Sequence, residues 1–214
     1  EALRPEAVDR GQRLRRSDVA RRHAVHADAV AGQFDAEAAH EADERKVKQI
    51  LYNLLANAVK FTPDGKWLIS GGADSTVRVS EALTGQERQV LTHGDWVEDI
   101  AVSPDGSWFA VASDDNNVWV WETETGEEKL RLKHNGFVQK VRVSQDGQWI
   151  ASSSFDQTLR IWDAVSGSQM MQIPLDDKGT GLAFNANSTR IAVGDQKGNL
   201  SLWDTSYLQA RLNS

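Results

Sequence analysis

From residue 63 onward the chain repeats itself every 41 residues, and no other feature limits its folds as much. The stretches "DSTVRVSE" (74–81), "DNNVWVWE" (115–122), "DQTLRIWD" (156–163) and "KGNLSLWD" (197–204) align beneath one another. Ser80, Trp121, Trp162 and Trp203 then stand 41 apart, as do Asp74, Asp115, Asp156 and Lys197. Turn sequences follow the same register: "TPDG" (62–65), "SPDG" (103–106) and "SQDG" (144–147), then "TGQ" (84–86), "TGE" (125–127) and "SGS" (166–168). Within one period "WVEDIAV" (96–102), "SWFAVAS" (107–113), "NVWVW" (117–121) and "EKLRL" (128–132) alternate or run apolar, separated by Asp-Gly and Thr-Gly turns. Each period is therefore predicted to hold four short antiparallel strands.

Four such strands per period is the plan of a propeller blade, and a blade buries both its faces only when it stacks on neighbours. The period, the Trp-Asp ending, the Asp-Gly turn and an upstream histidine resemble the WD-repeat family over residues 59 to about 212. The resemblance implies a hydrogen-bonded tetrad in each full repeat. Two copies carry all four residue types: His93, Ser113, Asp115 and Trp121, and His134, Ser154, Asp156 and Trp162. A buried carboxylate needs donors, and a histidine, a serine and an indole N–H provide them. The first copy has Tyr52 and Ser80 at the His and Trp positions, and the fourth has Leu175, Asp195, Lys197 and Trp203. Such sets recur at 41-residue spacing, so a structural role is expected for them rather than a catalytic triad. The resemblance also implies partner contacts at loops on one face: Trp96 and Phe137 at one repeat position, and Asp114 and Phe155 at another.

Composition splits the 214-residue chain in two. Residues 1–62 carry 11 Lys/Arg and 10 Asp/Glu, a net of +1, while residues 63–214 carry 13 and 21, a net of −8. All eight tryptophans and 14 of the 16 glycines lie after residue 62. Two domains are expected, 1–62 and 63–214. The acidic second part is a poor match for a phosphate backbone, so no nucleic-acid partner is expected. The chain has no cysteine, no signal-peptide pattern and no apolar run of membrane-spanning length, so a cytoplasmic protein without a membrane partner is expected.

Upstream, "ERKVKQILYNLLANAVKF" (44–61) places Val47, Ile50, Leu51, Leu54, Leu55 and Ala58 on one face of an amphipathic helix, with Asp43 as its cap. Asn53, Asn57 and Lys60 form a second stripe. Its plain reading is a polar face in water. Its sharper one is two amide oxygens and an ammonium that hold Mg²⁺ and phosphate. Residues 43–65 resemble the asparagine box of sensor histidine kinases, with weaker likeness back to residue 21. That resemblance implies Asn57 as a Mg²⁺ ligand, with Asn53 and Lys60 toward the phosphates of Mg-ATP. No phospho-acceptor histidine context or glycine boxes follow at a sensible distance. "DKGTG" (177–181) matches a nucleotide loop by letter, but the 41-residue register makes it the entry to the fourth blade.

The two patterns meet at "VKFTPDGK" (59–66). Pro63 stops a helix and pushes Thr62 toward extended geometry. Helix is expected to about Asn57–Lys60 and blade thereafter; alternatively Val59–Phe61 pair as a stub of the innermost strand. The fold expected is mainly β: about four propeller blades in an incomplete ring, preceded by a helical segment. Bare end faces would then be covered by a second chain closing an eight-bladed ring, by further blades, or by the 44–58 helix. A non-enzymatic scaffold without cofactor is expected, with a partial histidine kinase using Mg-ATP as the alternative.

Overall fold

The computed structural model describes residues 58–206 and 208. Fifteen strands in chain order make four antiparallel sheets among them. The first sheet joins β1 (Ala58–Phe61), β2 (Trp67–Gly71), β3 (Thr76–Glu81) and β4 (Glu87–Thr92). The second joins β5 (Val97–Val102), β6 (Trp108–Ser113), β7 (Asn117–Glu122) and β8 (Glu128–Lys133). The third joins β9 (Val138–Val143), β10 (Trp149–Ser154), β11 (Thr158–Asp163) and β12 (Gln169–Pro174). The fourth holds three described strands, β13 (Gly179–Phe184), β14 (Arg190–Asp195) and β15 (Leu200–Asp204). Consecutive sheets lie against one another through their inner strands β1, β5, β9 and β13, and the four do not close a ring.

Of the two expectations for the join, the strand stub is the one found: Ala58–Phe61 is β1, so no helix runs through residues 58–61. Ala58 sits opposite Gly71, and Phe61 opposite Leu68, in a full antiparallel ladder. Val59 and Phe61 suit a pleated surface, and β2 offers a row of backbone partners. Tertiary pairing therefore overrides the helical period, and the first blade begins before residue 63. The rest of the expected helix lies outside the described residues.

The recurrent turns explain why each strand starts where it does. Thr62, Ser103 and Ser144 donate their hydroxyls to Asp64, Asp105 and Asp146 at 2.6, 2.7 and 2.5 Å. Each hydroxyl oxygen also accepts the N–H of the next strand's opening residue, Trp67, Trp108 or Trp149. The following glycine, at 65, 106 or 147, adopts a φ near +70° that closes the turn at little steric cost. The sequence [ST]-x-Asp-Gly is thus a self-contained hairpin clamp.

Apolar residues fill the spaces between sheets. Val77 and Val79 of the first sheet meet Ile100, Phe109 and Val111 of the second. Val118 and Val120 meet Val141 and Ile150. Leu159 and Ile161 meet Leu182 and Ile191. Burying one such side chain contributes about 1.5–3 kcal/mol, so neighbouring blades depend on each other. Pro174 lies at the end of the outer strand β12, where a missing N–H costs no ladder bond.

Candidate functional site

The third sheet carries a continuous buried polar chain. Trp162 Nε1–H donates to Ser152 Oγ at 2.9 Å, and that oxygen lies 2.7 Å from His134 Nε2. His134 Nδ1 lies 2.9 Å from Asp156 Oδ2. An indole can only donate, so the serine accepts from it and gives its own proton to Nε2. His134 then carries its proton on Nδ1, facing the carboxylate. Asp156 also accepts from the Asn135 amide, the Thr158 hydroxyl and Arg160 Nη2. Burial pushes the Asp156 carboxyl up, but the hydrogen bonds from His134, Thr158 and Asn135 outweigh it and hold the group well below the usual carboxylate range. Burial keeps His134 neutral by pushing its pKa down, against the opposing pull of Asp156.

The serine in this chain is Ser152, not Ser154. Ser152 sits opposite Arg160 on β11, two residues from Trp162, so the indole folds onto it. Between Ser153 and Ser154 the pairing of β10 with β9 shifts register. Ser154 is thereby turned to the Gly136 carbonyl at 3.0 Å and accepts the Asp156 N–H. Three serines in succession, 152–154, concealed which one faces the histidine.

The second sheet builds the same position differently. Ser113 repeats the Ser154 role, donating to the Asp95 carbonyl and accepting the Asp115 N–H. At the Ser152 position stands Val111. Trp121 Nε1 therefore donates straight to His93 Nε2 at 3.2 Å, and the buried His93 Nδ1 has no hydrogen-bond partner. Asp115 turns away to Trp119 Nε1 at 2.9 Å and the Gly94 amide at 3.1 Å. Trp119 occupies the Arg160 position, stacks on Trp121 at 5.6 Å and lies under the Arg131 guanidinium at 3.8 Å. Burial, the largest influence, holds His93 down at about 4.

In the outer sheets the set dissolves. Ser80 is buried with an unpartnered hydroxyl, Asp74 faces Arg78, and Lys197 pairs with Asp177.

The four residues expected to contact a partner fall on one set of loops. The amides of Asp114, Phe155 and Gln196 donate to the carbonyls of Trp96, Phe137 and Lys178 at 2.9, 2.8 and 2.9 Å, so each pair of loops is fastened alike. Phe137, 38% exposed, lies 6.2 Å from the Phe155 ring, and Lys178 Nζ sits 4.7 Å over that ring. Trp96 is half-buried. Asp114 is only 8% exposed and accepts from Gln139 across the blade boundary at 3.2 Å, so its carboxylate ties two blades together. Lys178 and Gln139 were not expected from sequence, although the 41-residue register places Lys178 in line with Trp96 and Phe137.

Of the residues expected to hold Mg-ATP, Asn53 and Asn57 lie outside the described residues. Lys60 is exposed on β1, on a strand rather than on a helical stripe. Among the described residues no group of three or more His, Asp or Glu side chains gathers in a way that could hold a metal ion.

The family model of the WD domain, G-beta repeat, matches residues 53–79, 85–122 and 126–163. No curated protein matches the chain. The first stretch covers β1–β3, and the second and third each join the outer strand of one sheet to the inner three of the next, β4–β7 and β8–β11. The fourth sheet continues their 41-residue register without a match of its own. Residues 53–163 belong to the WD-repeat family.

Proposed function

We propose that the chain is a non-enzymatic scaffold that docks a partner protein on the loops carrying Phe137, Phe155, Lys178 and Trp96. WD repeats generally mediate contacts between proteins, which sets the class. The observation that carries the assignment is the Phe137–Phe155 pair under the Lys178 ammonium. An exposed aromatic ring on loops fastened by backbone hydrogen bonds is a rigid anchor, of the kind that dominates binding energy. The surrounding part of the chain is acidic, so the lysine marks a local positive spot. A partner side chain with an apolar body and a carboxylate end fits it. The interaction module begins at or before Ala58.

The test is affinity capture with the full chain, followed by calorimetric titration of whichever protein is retained. Phe137→Ala with Phe155→Ala is expected to weaken binding at least tenfold while the far-UV circular dichroism stays unchanged. Unchanged affinity would overturn the assignment. Titrating the same chain with Mg-ATP reads the kinase alternative: that reading requires binding at millimolar nucleotide that Asn57→Asp abolishes.

A further inference from the structure

The face each blade turns to its successor is built from the same two positions. They are Val77 and Val79 on β3, Val118 and Val120 on β7, and Leu159 and Ile161 on β11, all fully buried. On β15 the same positions are Leu200 and Leu202, which are 77% and 63% exposed. The face each blade turns to its predecessor also repeats. It holds Ile100, Val102 and Phe109, then Val141, Val143 and Ile150, then Leu182, Phe184 and Ile191. In the first blade those positions are Val59, Phe61 and Leu68, and Phe61 is 61% exposed.

We propose that a second copy of this chain covers both faces. Leu200 and Leu202 of each copy stack on Val59, Phe61 and Leu68 of the other, and the two copies close a ring of eight blades. Three successive interfaces within the chain are made from these same positions, so each end face is the register complement of the opposite end. A head-to-tail contact that did not close would leave the same two faces bare and grow into a filament. Two four-bladed arcs give eight blades, within the range of about four to eight in which propellers close. Apolar clusters of this kind, exposed on a folded chain, mark an interaction surface. The contact is separate from the Phe137 loops.

Light scattering behind a sizing column tests it on the full chain. The expected mass is a sharp species at twice the 23.7 kDa of one copy. Leu202→Glu and Phe61→Glu should each give a single copy with unchanged far-UV circular dichroism, because both side chains are exposed within one copy. Leu83→Glu, on the exposed turn between β3 and β4 and at none of these register positions, should leave the pair intact. Phe137→Ala with Phe155→Ala should also leave the mass unchanged, which keeps this result distinct from the partner-binding test. A wild-type mass of 23.7 kDa overturns the proposal, and is the result expected if a further blade or an unrelated protein covers the face. A pair lost with Leu202→Glu but kept with Phe61→Glu joins like ends and overturns it too.

Discussion

Ser152 shows how much one hydroxyl decides. Its oxygen joins Trp162 to His134 by hydrogen bonds, accepting from one and donating to the other, beside the edge-on contact of their rings. Ser152→Ala leaves an indole N–H and an imidazole nitrogen buried without partners, and is expected to cost about 2–4 kcal/mol in urea unfolding. Ser154→Ala, which frees one carbonyl and one amide at the strand end, should cost about 1 kcal/mol. The two histidines give a pH signature. Both are held neutral in the fold by burial, below the ordinary value of 6.5. The unfolded chain binds protons that the folded chain refuses, so stability is complete above pH 6.5 and falls as pH drops from there toward about 4. For His93 the full swing is on the order of 3 kcal/mol. Asp156 acts in a lower window: its depressed carboxyl contributes stability above the unfolded carboxylate range and loses it only below about pH 4. His93→Phe should flatten the slope of unfolding free energy between pH 6.5 and 4. An unchanged slope would show that His93 does not titrate there.

At the level of the strand and turn, the repeat is a set of interchangeable parts with local defects. The turn that follows each tetrad Asp position, Lys197 in the fourth copy, places Ser75, Asn116, Gln157 and Gly198 in one register, all with φ between +61° and +87°. Only the fourth uses glycine, the residue suited to that region. Gln157 is exposed there, and its backbone bonds to Ser154 and Leu175 do not involve the side chain. Gln157→Gly is therefore expected to raise stability by about 0.5–1 kcal/mol, read as a higher urea midpoint. The second sheet shows the opposite kind of exchange. Trp119 stands for Arg160, an indole N–H stands for a guanidinium N–H on the aspartate, and ring stacking occupies the space of an ion pair. The turns and strand positions were legible in the sequence because [ST]-x-Asp-Gly and the alternation of apolar residues act locally. The tetrad serine was not, because which of three adjacent hydroxyls faces inward depends on a register shift between two strands.

At the level of the molecule, blades are held together by apolar faces and by a few polar stitches that cross between them. Asp99 of β5 is nearly buried and accepts from Arg142 Nη1 of β9 at 2.5 Å, and its other oxygen takes the Ile100 amide. Asp99→Ala removes the carboxylate from the half-exposed guanidinium, which keeps only the Val141 carbonyl on Nη1. It is expected to cost about 1–3 kcal/mol, less than a fully buried pair would, measured as a lower unfolding midpoint. The sequence by itself determined the blade: its 41-residue period, its four strands, its turns and the decay of the tetrad toward both ends. All of these rest on interactions between residues close in the chain or on a repeated pattern. Tertiary structure alone decided where the first blade begins, because Ala58–Phe61 satisfies a helical period and a strand period equally until β2 supplies backbone partners. It alone decided that Asp114 is a tie between blades and not a free contact, because Gln139 comes from a different repeat. The exposure of Leu200, Leu202 and Phe61 is likewise tertiary: the same residue types at the same register are buried in the inner blades, and only the absence of a stacked neighbour among the described sheets distinguishes them.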